Sequence, residues 1–500
     1  MRKQKRSRSL RDADGNPDGR LSWGPSMAPA ARRRATSRSE QAQGRGPGGG
    51  RKRSPSRRTA AAPERAGQQQ RLIDAMVALC AESGYLSVSV ADVSTRAGVS
   101  SKTFYEIFAD KEDCLLAAYR SSAAHLLANV EPVAEQGDWR VAAGAALDRL
   151  LRAVRDEPAA ARLLLVEALA GGGRVRAERD RTLEVFEQRA QQFLDSAQRD
   201  GKMLDLPASA VIGAVRSIAS RELRTHGEDR LPAIGEDLLA WLESYGVAVG
   251  SRRWSTGPHS RLPAAAARRL VSKRQIIVPG RLPRGRHSLP AGVVARSQRT
   301  RIIHGTADVM ASKGYAEATV SDIVAAAAIS REVFYAHFSN KQDAFLAAQQ
   351  YVTQHILEAC TAAYFSGSTW PERVWSCLEA LIGLLVSNPE LAHLRLVECY
   401  AAGPAAIEQT EQLKRAARIF LQEGFNTIPG QSSVPPLATD AIAGAVFEVL
   451  YAHIAHGELD QLPRRLPQLT YIAIAPFLGP KRAIAAIERI RERVIAGPSR

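Results

Sequence analysis

The feature that most constrains the fold of this chain is an internal duplication. Residues 91–115 read ADVSTRAGVSSKTFYEIFADKEDCL, and residues 321–345 read SDIVAAAAISREVFYAHFSNKQDAF. Seventeen of the fifty positions in 71–120 are identical in 301–350 at an offset of 230. Beyond them, Trp139, Pro158 and Val166-Glu167 recur as Trp370, Pro389 and Val397-Glu398 at an offset of 231. The repeat therefore has the size of a domain or more, and it far exceeds the periods of about 20–50 residues that indicate solenoids.

The positive charge of the chain is confined to two segments. The formal net charge is +17, but residues 1–60 hold 17 Lys/Arg against 4 Asp/Glu, and residues 251–300 hold 12 Lys/Arg and no acid. The rest of the chain is therefore net acidic. The arginine-, serine- and glycine-rich composition of the first segment predicts a disordered tail. This tail is either an arm that attracts polyanions such as DNA, or a solubilising extension, or the product of a start codon placed upstream of Met27.

The remaining composition favours a protein of the reducing cytoplasm. The basic N-terminus is not followed by the apolar stretch of a signal peptide, and the most apolar long segment, 441–455, contains Glu448 and His453. We therefore predict no membrane association. The five cysteines are scattered, and the ten histidines do not cluster, so we predict no metal site and no cofactor.

Each duplicated segment has the pattern of a helix-turn-helix motif. Leu72, Met76 and Cys80 form an apolar helical stripe that ends at Gly84. Ser89 and Asp92 then form a capping box that opens a second helix, which stops at Gly98. Ser100 caps a third helix, predicted over 101–108, which has the position of a DNA recognition helix. Its predicted outward residues are Ser101, Lys102, Thr103 and Glu106, and those of the second repeat are Arg331, Glu332, Ala336 and His337.

The second motif departs from the first at the turn. Ala328 replaces Gly98, and nothing like Arg96 occurs in its second helix. An alanine held at positive φ costs about 1 kcal/mol. This predicts a reshaped turn or a weaker second DNA-binding motif, so DNA contact is expected more from the first repeat.

These segments resemble the tetracycline-repressor (TetR) family of transcriptional regulators. The resemblance is carried by Gly84-Tyr85, Ser89-Val90-Ala91-Asp92-Val93, Ala97-Gly98-Val99-Ser100, Phe104-Tyr105-Glu106-Ile107-Phe108 and Lys111. In the second repeat it is carried by Gly314-Tyr315, Thr319-Val320-Ser321-Asp322-Ile323, Ile329-Ser330, Phe334-Tyr335-Ala336-His337-Phe338 and Lys341. It implies an all-α fold of two tandem units, each with a three-helix DNA-binding domain followed by a helical domain for ligand binding and dimerisation.

The resemblance also implies which residues contact DNA. Tyr105, Lys111, Tyr335 and Lys341 would contact the backbone, and Lys102, Thr103, Arg331 and Glu332 would lie over the bases. The full predicted DNA-binding set is Ser100, Ser101, Lys102, Thr103, Tyr105, Lys111, Ser330, Arg331, Glu332, Tyr335, His337 and Lys341. Hydroxyl, ammonium and guanidinium groups of this kind bind phosphate oxygens and base edges.

The helical regions after each motif are expected to hold an effector pocket and, in their last two helices, a dimer interface. The candidate interface helices are 207–225 with 232–248, and 437–455 with 463–476. Glu167 and Glu398 lie in apolar surroundings, where a structural hydrogen bond is favoured over ligand binding. The pocket residues themselves cannot be predicted, because a pocket and a core use the same apolar side chains.

The sequence predicts six segments. They are a basic tail 1–66, a DNA-binding domain 67–120 with its motif at about 90–109, a helical domain 121–250, a basic linker 251–296, a second DNA-binding domain 297–350 with its motif at about 320–339, and a helical domain 351–500. We call 67–250 the first repeat and 297–500 the second repeat.

The predicted function is a DNA-binding transcriptional regulator, by family default a repressor that an unidentified small molecule releases from a double-stranded DNA operator. The linker is long enough for the two repeats to form a pseudo-dimer within one chain; the alternative is a homodimer of chains. A nonspecific DNA-compacting protein acting through the basic tail and linker is the competing function. No catalytic constellation is recognisable, so we do not expect an enzyme. The expected location is the cytoplasm, with the nucleoid as the DNA-bound state.

Overall fold

The computed structural model describes residues 57–128, 138–199, 202–248, 253–271, 275–280, 289–427 and 434–496. Within these ranges almost all regular structure is helical, and the only sheet has two short strands. The predicted all-α class with two tandem units is confirmed. The predicted basic tail lies outside the described residues as far as residue 56, and helix α1 begins inside its remaining part, at Arg57.

The first repeat opens with the predicted three-helix arrangement and a long connecting helix. These helices are α1 (Arg57–Ser83), α2 (Val90–Ala97), α3 (Ser101–Ile107) and α4 (Lys111–Ala128). The predicted stripe of Leu72, Met76 and Cys80 is fully buried, which explains why α1 packs as the central helix of this domain. The chain leaves α1 at Gly84, whose φ of 77° is readily adopted only by glycine.

The body of the first repeat consists of five helices and a small two-stranded antiparallel sheet. They are α5 (Trp139–Asp156), α6 (Pro158–Leu165), α7 (Gly173–Arg199), β1 (Lys202–Leu204), α8 (Ala208–Arg224), α9 (Leu231–Glu243) and β2 (Gly246–Ala248). The antiparallel strands pair Met203 with Val247. Sequence analysis found no strand pattern because strands of three residues are too short to show an alternation of polar and apolar side chains.

Part of the predicted linker is folded onto the helical body. The backbone N–H groups of Trp254 and Ser255 donate to the carboxylate of Asp205 over 3.1 and 2.9 Å. The Leu262 N–H donates to the carbonyl of Arg464 over 2.8 Å, and a helix follows, α10 (Ala264–Val271). Residues 253–271 are therefore held by both repeats, which a basic, proline-rich composition did not indicate.

The second repeat reproduces the plan of the first. Its helices are α11 (Ala291–Glu317), α12 (Val320–Ala327), α13 (Arg331–His337), α14 (Lys341–Tyr364), α15 (Trp370–Ser387), α16 (Pro389–Leu396), α17 (Pro404–Ala417), α18 (Ile419–Gln422), α19 (Ala438–Ala455), α20 (Leu466–Leu478) and α21 (Pro480–Ala496). Gly314, at φ 78°, interrupts α11 at the position equivalent to Gly84. Both repeats thus make the same turn before the second helix of the motif.

The two repeats meet along α8 and α19, which pack directly against each other. Two glycines allow this close approach. A Cβ atom added to Gly213 would lie 2.7 Å from Cβ of Glu448, and one added to Gly444 would lie 2.5 Å from Cβ of Ser217. Gly213 and Gly444 are equivalent at the offset of 231, so the helices cross near an approximate two-fold axis. The helices expected at a dimer interface thus pair within one chain.

Helix α19 is the one described helix that is long and apolar enough to span a membrane. Its apolar window is 67% buried inside the protein. It packs against α8, α16 and α20. Its composition is therefore accounted for by its position in the middle of the helical body, as for any buried core helix.

The turn of the second motif keeps the geometry of the first despite its alanine. Gly98 has φ 63° and ψ 38°, and Ala328 has φ 50° and ψ 52°, so both are left-handed. The predicted alternative of a reshaped turn is therefore wrong. The backbone hydrogen bonds from residues 99 and 329 to the carbonyls of Ser94 and Val324 hold both turns in the same form.

We predict that Ala328→Gly raises the stability of the second DNA-binding domain by about 1 kcal/mol, because the left-handed backbone no longer opposes a Cβ atom. Gly98→Ala should lower the stability of the first domain by a similar amount, since a Cβ there meets nothing within 4 Å and only the backbone cost remains. Thermal unfolding of the two variants would test this. Equal midpoints for both variants and the natural chain would contradict it.

Candidate DNA-binding site

The first helix-turn-helix motif is fixed by hydrogen bonds at each helix start. The Asp92 N–H donates to Oγ of Ser89 over 3.2 Å, and the Ser89 N–H donates to the Asp92 carboxylate over 2.9 Å. This is the predicted capping box. Ser100 caps α3 by accepting the Thr103 N–H on its Oγ over 3.0 Å. Ser100 is thus engaged in positioning the recognition helix.

The second motif has the same caps. Thr319 and Asp322 exchange bonds of 3.2 and 2.9 Å, and Ser330 accepts the Val333 N–H over 3.2 Å. The hydrogen bonds that the Asp322 carboxylate accepts from Lys313 and Thr319 lower its pKa to about 2, so this cap is ionised at any physiological pH. The fourth helices are capped as well, by Asp110 and Asn340.

An arginine of the first helix holds each motif by a hydrogen bond to the end of the second helix. Nε of Arg71 in α1 donates to the carbonyl of Ala97 over 3.1 Å, and Nη2 of Arg301 in α11 donates to the carbonyl of Ala328 over 2.9 Å. These carbonyls lie at the end of the second helix, where no helical partner remains. Arg71 and Arg301 are equivalent at the offset of 230, and their identity in both repeats is the signal of this role in the sequence.

The recognition helix of the first repeat presents its predicted residues to solvent. Ser101 and Lys102 are exposed, and Thr103 is half-buried. The Lys102 side chain is 86% exposed and lies 3.8 Å from the carboxylate of Glu106. An exposed pair of this kind contributes little to stability, so the ammonium is available to another anion. Phe104 and Phe108 are buried, as expected from core packing.

The second recognition helix differs in its surface chemistry. Arg331 and Glu332 are exposed. His337 is half-buried, and its Nε2 lies 3.2 Å from Oε1 of Gln298 in α11. Burial and the charge of Arg299 lower the pKa of His337, which favours the neutral ring. His337 therefore faces the first helix of its own domain more than solvent.

Two tyrosines stand out at equivalent positions of the recognition helices. Tyr105 is 60% exposed and Tyr335 is 52% exposed. Each ring packs edge-on against the preceding buried phenylalanine, with ring centroids 5.4 Å apart. The ring is thus held by the core while the remainder of the side chain is exposed, as a residue that contacts phosphate requires.

The two predicted backbone-contacting lysines are engaged inside their own domains. Nζ of Lys111 donates to the carbonyls of Tyr85 and Val88 over 3.2 and 2.9 Å, and Nζ of Lys341 makes bonds of 2.7 and 2.9 Å to the equivalent carbonyls. Each ammonium also lies over a tyrosine ring, 4.2 and 4.4 Å from its centroid. Burial lowers the pKa of both lysines. These groups hold the turn that follows the first helix.

The same turn is held from the other side by a glutamate of the helical body. Oε2 of Glu167 accepts the Tyr85 N–H over 2.8 Å, and Oε2 of Glu398 accepts the Tyr315 N–H over 2.7 Å. Both glutamates are largely buried. The predicted structural hydrogen bond is confirmed, and it joins each DNA-binding domain to its helical body.

Among the described residues, the second of these junctions has an additional ion pair from the other repeat. Nη1 of Arg176, in α7 of the first repeat, lies 3.1 Å from Oε1 of Glu398, and Nε2 of His393 lies 3.5 Å from it. Although burial opposes ionisation, the hydrogen bond from His393 and the charge of Arg176 lower the pKa of Glu398. Burial raises the pKa of Glu167. The two DNA-binding domains are thus connected to the body by chemically different junctions.

The described residues offer no group of three or more metal-ligating side chains. All five cysteines are free and buried, and burial raises the pKa of Cys80 to about 12, so its thiol stays protonated. Cys80 and Cys114 are buried free thiols, as the sequence predicted.

Two capped helix-turn-helix motifs with exposed recognition helices define a DNA-binding protein. The family model of bacterial regulatory proteins of the TetR family matches the chain twice, at residues 72–118 and 302–348. The chain therefore contains two TetR-type DNA-binding domains in tandem, as a DNA-binding transcriptional regulator with a duplicated sequence would.

Solved structures of single TetR-type proteins are similar to part of the chain. The fatty acid degradation regulator FadR from Bacillus halodurans is 21% identical and covers 35% of this chain and 94% of its own, with a TM-score of 0.31. FadR from Bacillus subtilis in complex with stearoyl-CoA is 18% identical and covers 35% and 96%, with a TM-score of 0.31. A transcriptional regulator from Rhodococcus sp. Rha1 is 23% identical and covers 36% and 97%, with a TM-score of 0.30. The search of curated proteins gave no match.

We predict that Glu398→Ala weakens the attachment of the second DNA-binding domain by about 1–3 kcal/mol, because the Tyr315 N–H loses its acceptor. Hydrogen exchange at residues 314–318, followed by mass spectrometry, should become faster. Glu398→Gln keeps an acceptor oxygen and is the matched control, with exchange near that of the natural chain. Unchanged exchange in Glu398→Ala would show that the junction does not depend on this carboxylate.

Proposed function

We propose that the chain is a repressor whose two recognition helices bind the unlike halves of one operator, and that an apolar small molecule releases it. The observation that carries the proposal is the pairing of the two repeats through α8 and α19, with one exposed recognition helix in each. Such a regulator would act in the cytoplasm, on the nucleoid when bound to DNA.

The residues proposed to contact DNA divide into two groups. Lys102, Thr103, Arg331 and Glu332 lie on the recognition helices and would meet the base edges. Ser101, Tyr105, Tyr335 and His337 are proposed to contact the phosphate backbone or adjacent bases. Ser100 and Ser330 cap the same helices, so any phosphate contact they make is secondary to that role.

Lys111 and Lys341 are proposed to act mainly by holding the turn before the second helix. Their ammonium groups are within hydrogen-bonding distance of two carbonyls each. They lie at the N-termini of α4 and α14, where free N–H groups also favour anions. A phosphate contact by either lysine would therefore have to compete with existing hydrogen bonds.

The charges along the contact between the repeats support pairing within one chain. The first repeat contributes arginines and the second contributes carboxylates. Nη2 of Arg179 lies 3.2 Å from Oε1 of Glu448, and Arg216 contacts the other oxygen of that carboxylate. Nη1 of Arg221 lies 2.9 Å from Asp440. Arg224 lies 2.7 Å from Glu411. These pairs satisfy one another only when a first repeat meets a second repeat.

Pairing of like repeats would leave buried charges without partners. At the offset of 231, Glu448 corresponds to Ser217, and Arg216 corresponds to Phe447. Two first repeats would place Arg179 and Arg216 against Ser217, and two second repeats would place Glu448 against Thr410 and Phe447. Removing the partner of a buried charge costs about 3–5 kcal/mol. The alternative of a homodimer formed by like repeats is therefore disfavoured.

A cavity in the second repeat supports the proposed release by a small molecule. It has a volume of about 120 Å³ and is lined mainly by apolar side chains. Leu378 and Leu381 of α15, Leu413 of α17, and Val446 and Leu450 of α19 contribute to its wall. A ligand there would contact α19 directly, and so would alter the packing on which the relative position of the two recognition helices depends.

The operator proposal is tested by footprinting on the DNA upstream of the gene at physiological salt. We expect one short protected site with unlike halves, unchanged when residues 1–66 are removed. Lys102→Ala should weaken protection of one half and Arg331→Ala that of the other, each by about 1–3 kcal/mol. Lys481→Ala, on the helical body, is the matched control. Diffuse protection that vanishes with the tail would favour the alternative of a nonspecific DNA-compacting protein.

The pairing proposal is tested by light scattering and unfolding. We expect the free chain and its operator complex each to contain one copy of the chain. Glu448→Ala should destabilise the protein by about 3–5 kcal/mol, because Arg179 and Arg216 remain buried without their shared carboxylate. Glu408→Ala removes an exposed ion pair with Arg415 and should change stability by less than about 1 kcal/mol. A complex of two chains on one operator would contradict the pseudo-dimer.

A further inference from the structure

The cavities of the two repeats differ in a way that follows from a few residues. At the position where the first repeat has two separate cavities of about 80 and 60 Å³, the second has a single one of about 120 Å³. Leu150, Phe186, Ile212 and Val215 line both small cavities and therefore lie between them.

The offset of 231 places the single cavity at the same position in the fold. The four shared residues correspond to Leu381, Ala417, Ala443 and Val446, and all four line the single cavity. Two of these four positions differ between the repeats, and both differences reduce side-chain volume in the second repeat. Where the first repeat has a phenylalanine ring at 186 and an isoleucine at 212, the second has only methyl groups. Phe186 and Ile212 thus form a partition that is absent from the second repeat.

The cavity of about 60 Å³ in the first repeat also has charged side chains in its wall. Arg179 and Arg216 line it, and both are held by Glu448 of the second repeat. The position equivalent to Arg179 is Thr410, and that equivalent to Arg216 is Phe447. An apolar ligand in the first repeat would therefore lie against two buried guanidinium groups, whereas in the second repeat it would lie against a phenyl ring and one ammonium group, that of Lys414.

The polar groups at the single cavity are already engaged. Thr410 Oγ1 donates to the carbonyl of Ala406 over 3.0 Å and accepts from Nη1 of Arg395 over 3.0 Å. Nζ of Lys414 lies 2.7 Å from Glu411 and 3.2 Å from Oγ of Ser217. An uncharged ligand leaves these bonds intact. The volume is close to that of an engineered apolar cavity of about 150 Å³ that stays dry and binds benzene.

We propose that the chain binds one uncharged apolar ligand, in the second repeat alone, and that Phe186 closes the equivalent site of the first repeat. The inference deepens the proposed effector control and rests on it for its regulatory meaning. Each chain then responds to a single ligand although it has two DNA-binding domains.

The test is a fluorescence titration with N-phenyl-1-naphthylamine, an uncharged aromatic dye that emits in apolar surroundings. The natural chain should bind one dye molecule, Phe186→Ala two, and Ala417→Phe none. Phe365→Ala and Ala362→Phe make the same exchanges at exposed positions at the C-terminal end of α14 and should leave one dye bound per chain. Circular dichroism establishes that each variant is folded.

Three results would overturn the inference: two dye molecules on the natural chain, one on folded Ala417→Phe, or one on Phe186→Ala. If Ala417→Phe does not fold, the gain of a second site in Phe186→Ala decides. A separate measurement of operator binding with and without dye tests the proposed effector control. The natural chain, Phe186→Ala and Ala417→Phe could bind one, two and no dye molecules while the dye leaves operator binding unchanged. That result would support the single site and contradict only the proposed effector control.

Discussion

The close contact of α8 with α19 is the constraint on which the rest of the structure depends. Two glycines let the helix backbones approach, and two buried arginines share the carboxylate of Glu448: Arg216, and Arg179, which also pairs with Asp180. Burial lowers the pKa of Arg216 to about 10, which still leaves it charged at neutral pH. Because a charge of this kind must be paired, the contact fixes which repeat faces which. The glycines allow α8 and α19 to lie close together, and the ion pairs favour pairing between unlike repeats.

Two short connections attach the DNA-binding domains to the helical bodies that form this contact. Glu167 and Glu398 each hold the turn that follows the first helix of a motif. Among the described residues, Arg176 adds an ion pair from the first repeat to the second connection. The second domain is thus attached to both halves of the body, and the first to its own half. A change in the packing of α7 against the second repeat would therefore reach the second motif first.

The sequence was sufficient to predict the motifs because their signals are local. Capping residues such as Ser89, turn residues such as Gly98 and the apolar stripe of α1 act within a few positions of one another. The roles of Arg71 and Lys111 were not predictable, since each donates to carbonyls about 26 positions away and a basic residue near a DNA-binding motif is naturally read as a DNA contact. The folded linker and the partition at Phe186 depend on distant partners, which neither composition nor periodicity contains.

The opposite charges of the two interface surfaces have a genetic consequence. In an ordinary homodimer, one mutation alters both faces of the contact at once, so a face must always suit its own copy. Here the surfaces of α8 and α19 are encoded by different parts of one gene, and their charges are complementary. Once that complementarity had arisen, two halves produced from separate genes would select each other over themselves. The fusion therefore keeps two complementary surfaces in one chain, and each repeat is free to diverge without having to suit a copy of itself.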